Sequence, residues 1–104
     1  MDRFPTLFSP FRLGGIEVSN RVVFTAHHTH LSGDVPSDDL VAYYESRAAG
    51  GAGLIVVEVA GVHSSARFSS DFIQADSDEC IPGYRRIAQA CHHHGCPVLG
   101  QLYH

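Results

Sequence analysis

The feature that most constrains this chain is an alternation. Three apolar runs, at residues 22–25, 54–57 and from Pro97 onward, are separated by two stretches with helical spacing. The run at 22–25 is apolar at consecutive positions, as expected of a strand buried on both faces, and the run at 54–57, Leu-Ile-Val-Val, is a second apolar, β-branched one. The third run begins at Pro97-Val98-Leu99 and continues through Gly100-Gln101-Leu102. In the first intervening stretch, Ser37 is a natural N-cap, with Asp38 and Asp39 in the first turn. Leu40, Tyr43, Tyr44 and Arg47 or Ala48 follow at helical spacing, and Gly50-Gly51 stop the helix. In the second stretch, Pro82 suits the first helical position. Tyr84, Ile87, Ala88 and Cys91 mark an apolar face, and Gly95 ends the helix after His92 to His94. Before all of this, Phe11-Arg12-Leu13 and Ile16-Glu17-Val18 flank Gly14-Gly15, a short hairpin with a tight turn.

The order is hairpin, then β, α, β, α, β. That predicts an α/β fold of parallel βα units with right-handed crossovers. The segment at 61–80, rich in Ser and Asp, reads as a long loop, and such loops are often functional. A third strand with no helix behind it leaves one face bare and one edge unpaired. The expectation is that further chain, or a partner, completes the sheet.

Composition excludes several classes. The 104 residues carry 7 basic and 11 acidic side chains, a net charge of −4, with no basic patch for nucleic acid. No apolar run approaches the ~20 residues of a membrane span. Cys80, Cys91 and Cys96 are odd in number and irregularly spaced, which favours reduced thiols and a cytoplasmic location.

Histidine is abundant, and its placement raises the functional question. His27, His28 and His30 directly follow the first strand, where they could bind a metal, line an active site or decorate a loop. Residues 91–96, Cys-His-His-His-Gly-Cys, invite a zinc reading, but consecutive helical residues diverge and cannot converge on one ion. The three imidazoles suit a helix C-terminus instead, and no residue is assigned as a metal ligand. Glu58 interrupts the second strand, and a carboxyl there needs a partner. Arg21 is the expected one.

Three segments in order resemble the N-terminal part of the Old Yellow Enzyme family of FMN-dependent NADH:flavin oxidoreductases. They are LFSPFRLGGIEVSNRVV at 7–23, YYESRAAGGAGLIVVE at 43–58 and IPGYRRIAQACHHHGCPVLGQLYH at 81–104. The resemblance covers essentially the whole chain. His28-Thr29 looks most like the subgroup of 2,4-dienoyl-CoA reductases and amine-demethylating enzymes. Ene-reductases of the family carry Pro near Ala26 and Thr or Cys at the His28 position, so this sequence departs from them.

The resemblance implies the first three strands of a TIM (β/α)8 barrel preceded by a short hairpin, residues 1–104 being the N-terminal portion of one FMN-binding domain. A complete barrel takes ~250 residues, so 104 residues alone are expected to be inactive. It implies that the backbone of Ala26 and His27 lines the flavin, and that His28 approaches its N5/O4 edge as the catalytic side chain, with an imidazole N–H donating to O4. Val59 and Ala60, within one residue of register, would press against the ring. Gln101 in Gln-Leu-Tyr-His would bond the pyrimidine edge, since a primary amide both donates and accepts. Thr29, Tyr103 and His104 would belong to the substrate rim, with His30 on the loop surface or that rim. The implied reaction moves hydride between NADH or NADPH, FMN and a small-molecule substrate, either an unsaturated carbonyl or enoyl compound or an N-methylated amine. A 4Fe-4S cluster further along the chain and a homo-oligomer are also implied. Two other readings stay open: a His/Cys metal-binding module, and a non-catalytic half-barrel that acts in assembly.

Overall fold

A computed structural model describes residues 3–104. The hairpin pairs β1 (Phe11–Leu13) with β2 (Ile16–Val18), antiparallel. Of its two turn glycines only Gly14 takes a positive φ, 59°. A four-stranded sheet follows, made of β3 (Val23–Phe24), β4 (Leu54–Gly61), β5 (Ile73–Gln74) and β6 (Val98–Tyr103). Every pairing in it is parallel. Helices α1 (Asp38–Ala49) and α2 (Ile81–His92) connect its strands. The expected α/β barrel segment is therefore present.

The helices form where the caps direct. The Ser37 side chain accepts from the Leu40 amide at 3.1 Å, which satisfies one of the orphan donors of the first turn. At the other end Gly51 takes a φ of 107°, which a side chain would resist. Each helix buries one row spaced by four: Leu40, Tyr44 and Ala48 on α1, and Gly83, Ile87 and Cys91 on α2. These rows meet Ile55, Val57, Ala60 and Ile73 of the sheet to form the core. Gly83 is required by contact. A Cβ there would lie 2.7 Å from the Pro36 ring.

β4 is the centre of the sheet. β6 runs along it from Ile55 to Gly61. β3 pairs only with Leu54 and Ile55, and β5 only with Ala60 and Gly61. With β6 along one edge, β3 and β5 share the other, and they leave residues 56–59 of that edge uncovered. The β4–β6 register slips there, between Val57 and Val59. The extra residue is Glu58, a bulge that turns its side chain away from strict alternation.

Three expectations are corrected. The first strand is not buried on both faces: Val23 is 47% exposed. Among the described residues it lies at an edge of the sheet, with no further strand beyond it. The stretch at 61–80 is not one loop. It holds 3-10 turns at Ser64–Ala66 and Asp78–Cys80, with β5 between them. Arg21 does not pair with Glu58. Its guanidinium lies over the Phe11 ring, 5.2 Å from the centroid, and Glu58 has partners of its own.

Candidate functional site at the strand ends

β3, β4 and β6 run parallel, so their C-terminal ends lie on one side of the sheet. In βα barrels that side carries the chemistry. Ala26 to His30, Val59 to Gly61 and Gln101 to His104 all lie there. The parallel register aligns Val59 with Gln101, Ala60 with Leu102 and Gly61 with Tyr103. Val98 packs into the core under the helices, so alternation places Leu99, Gln101 and Tyr103 on the opposite, inner face. Val59 shares that face with Gln101. Ala60 faces the helices and is 1% exposed. Of the two candidates at the end of β4, only Val59 offers its side chain to the inner face.

The histidines divide by partner. His27 turns outward to α1. Its Nε2 lies 2.6 Å from the Tyr43 hydroxyl, and its Nδ1 lies 3.3 Å from the Thr25 carbonyl. A carbonyl only accepts, so Nδ1 carries the hydrogen and Nε2 accepts from Tyr43 in the neutral ring. His28 reaches the loop after β4. Its Nε2 donates to the Asp71 carbonyl at 2.8 Å, and its ring packs edge-on against Phe68 and Phe72. That bond places the hydrogen on Nε2. A neutral His28 then presents Nδ1 as an acceptor, not as the N–H donor expected for a flavin oxygen. Nδ1 donates only from the imidazolium.

His30 adopts a φ of 63°, unusual for a residue with a side chain. This turn brings its ring to 4.1 Å from that of His28, centroid to centroid. His30 Nδ1 lies 2.6 Å from Asp71 Oδ2. Ser69 donates to the other Asp71 oxygen at 2.6 Å. The Ser69 hydroxyl, and then His30, hold the Asp71 carboxyl below its usual value.

Thr29 points the other way. Its hydroxyl donates to Glu58 Oε1 at 2.6 Å. The Glu58 amide donates to the Tyr44 hydroxyl at 2.8 Å. Burial pushes the Tyr44 phenol far up from its usual value, so it stays a neutral donor and acceptor. Tyr103 meets Phe68 and Phe72 edge-on, and His104 Nε2 lies 2.9 Å from the Ser65 hydroxyl. The structure thus gathers Val59, Gln101 and Tyr103 on one face and His28, Thr29 and His104 around it. It binds His27 to the helix layer. Asp71, Tyr43 and Tyr44 were not singled out as site residues by the sequence. Asp71 lies in a Ser/Asp-rich stretch without periodicity, and the tyrosines read as one apolar helix face.

Residues 6–104 match the family described as NADH:flavin oxidoreductase / NADH oxidase. The chain belongs to that family. It is 39% identical to a metal reductase of Desulforamulus reducens, over 93% of this chain and 14% of that protein. It is 34% identical to the N,N-dimethylglycine/sarcosine dehydrogenase of Chromohalobacter salexigens, over 97% of this chain and 15% of that protein. An old yellow enzyme homologue from Zymomonas mobilis superposes with a TM-score of 0.87 at 27% identity, covering 96% of this chain and 28% of that one. The chain therefore spans less than a third of each of these three proteins. Among the described residues no helix is long and apolar enough to cross a membrane.

Proposed function

We propose that this chain forms one wall of the flavin site of an FMN-dependent oxidoreductase that exchanges hydride with NADH or NADPH. One observation carries the reading. Gln101 stands exposed on the inner face at the C-terminal end of β6, in register with Val59 of β4. The donor set fits the group: an amide that donates and accepts matches a pyrimidine edge that does the same, and a branched apolar side chain beside it offers packing for a flat ring. When bound, FMN supplies the hydride chemistry, and the protein supplies orientation and electrostatics.

Gln101 would fix the in-plane orientation of the ring. Val59 would exclude water from its underside, and the backbone of Ala26 and His27 would line its far edge. His28 would stand at the reactive edge, anchored through Nε2, and its Nδ1 would donate there from the imidazolium form. Thr29, Tyr103 and His104 would bound the substrate. The His28-Thr29 pair supports the dienoyl-CoA reductase and amine-demethylase subgroup, and the dimethylglycine/sarcosine dehydrogenase supports an N-methylated amine as substrate. An unsaturated carbonyl or enoyl compound is the second substrate class. A 4Fe-4S cluster outside these residues, a homo-oligomeric assembly and a cytoplasmic location complete the reading.

The test uses the full-length protein and measures FMN affinity by fluorescence quenching. Gln101→Leu removes both hydrogen bonds and is expected to weaken FMN binding ~10-fold or more, since each such bond contributes ~0.5–1.5 kcal/mol. Failure of the wild-type protein to bind FMN would overturn the proposal.

A further inference from the structure

Beside the expected flavin wall lies a cluster of which the reading above uses only His28. A ring nitrogen of His28, a ring nitrogen of His30 and a carboxylate oxygen of Asp71 lie within 4.8 Å of one another. The three come from two different βα loops. His28 Nε2 is 3.6 Å from Asp71 Oδ1, and His30 Nδ1 is 2.6 Å from Asp71 Oδ2. We propose that these residues bind a divalent transition-metal ion, of the zinc or cobalt class, which clasps the loop after β3 to the loop after β4.

Ligand chemistry sets the class of ion. Two imidazoles and one carboxylate suit zinc, cobalt or nickel, whereas magnesium and calcium require oxygen ligands throughout. One carboxylate charge and two neutral rings leave room for water at the remaining positions, as in an open zinc site. Bond lengths of about 2.0–2.2 Å place tetrahedral ligands about 3.3 Å apart, so the ion must open the 2.6 Å contact between His30 and Asp71 and draw the wider-spaced atoms inward. His30 can follow, because its side chain is 65% exposed.

The backbone supports the assignment independently. His30 holds a left-handed φ of 63°, a conformation that is costly for a residue other than glycine. Its effect is to fold the His30 ring back over His28 and onto Asp71. Ser69 holds Oδ1 of Asp71, the kind of outer bond that orients a ligating carboxylate. Ligation at His28 Nε2 would replace the proton there. A neutral His28 ring would then carry its hydrogen on Nδ1.

The experiment uses full-length protein, freed of metal by dialysis against a chelator and titrated with Co2+. The expected result is uptake of one ion per chain with visible d–d bands, reversed by Zn2+. His30→Gln and Asp71→Asn should each weaken Co2+ binding at least tenfold. The His93→Gln, His94→Gln double variant should leave it unchanged, which separates this site from the histidine run at the end of α2. In the wild-type protein, Zn2+ should also protect His30 from carbethoxylation, mapped by mass spectrometry, a readout that needs no variant to fold. Absence of stoichiometric uptake overturns the proposal, as does uptake that survives His30→Gln but disappears in the double variant. FMN binding is not required for any of these readouts, so failure here leaves the flavin reading standing.

Discussion

Thr29 and Glu58 hold each other across the gap in the sheet. The Thr29 hydroxyl lies 2.6 Å from Glu58 Oε1, and the Thr29 amide donates to the same oxygen at 3.3 Å. Glu58 is fully buried, and its other oxygen has no partner among the described residues. β3 ends at Phe24, and Thr29 occupies the stretch of edge that neither β3 nor β5 covers. Removing the hydroxyl leaves the buried acceptor with only the longer amide bond, which costs about 1–3 kcal/mol. Thr29→Val should lower the unfolding free energy by that amount, while Thr29→Ser, which keeps the bond, should lose far less. Denaturant unfolding of the two variants decides it, and equal losses would assign the effect to packing alone.

Gly83 and Pro36 lie in van der Waals contact that leaves no room for a methyl group. A Cβ at position 83 would stand 2.7 Å from the Pro36 ring. Alanine ordinarily stabilises a helix interior by ~1 kcal/mol over glycine. Here the clash should reverse the sign, with a net loss of about 1–3 kcal/mol. A Gly83→Ala variant with a raised melting temperature would show that α2 shifts freely against the loop before α1.

The same contrast shows what was legible in the sequence. Leu40, Tyr44, Ala48, Ile87 and Cys91 were readable because helical burial repeats at four residues. The run at 54–57 was readable because central parallel strands are apolar throughout. The bulge at Glu58 was not, since nothing local marks where a parallel register slips. Without it Glu58 seemed to need Arg21 as its counter-charge, whereas the slip brings it to Thr29. β5 is two residues long, too short for any period, so its segment read as loop. Gln101 and His28 were legible only through resemblance to a family, because one amide and one imidazole have no spacing of their own. The partnership of His28 with Asp71 spans 43 residues, and no local pattern encodes it.

Burial makes the core sensitive to alkali. It pushes the Cys91 thiol up from 9.0 to about 11, and the Tyr84 phenol up from 10.0 to about 12. Cys96 is raised as well, also by burial. The folded state therefore holds these protons more tightly than the unfolded state. Their contribution to stability is complete below pH 9.0 and is lost as pH rises through about 11 for Cys91. The melting temperature should fall across that interval, and Cys91 should resist alkylation until the protein unfolds. Rapid labelling of Cys91 in the folded protein at neutral pH would contradict the buried placement.

Val59 and Ala60 make the sharpest test of the site, because adjacent residues should fail in different ways. Val59 shares the inner face with Gln101, whereas Ala60 is packed under the helices. A larger side chain at 59 occupies the space proposed for the flavin and has little core to disturb. Val59→Phe should weaken FMN binding of the full-length protein tenfold or more, with a melting temperature near that of wild type. A larger side chain at 60 is forced into a filled core, and overpacking of this kind costs about 1–3 kcal/mol. Ala60→Leu should lower the melting temperature while the folded fraction keeps its FMN affinity. Both quantities come from the same two samples, by fluorescence titration and thermal unfolding. If Ala60→Leu loses FMN and Val59→Phe loses stability, then the residue facing the flavin is Ala60, and the bulge at Glu58 does not set the register in solution.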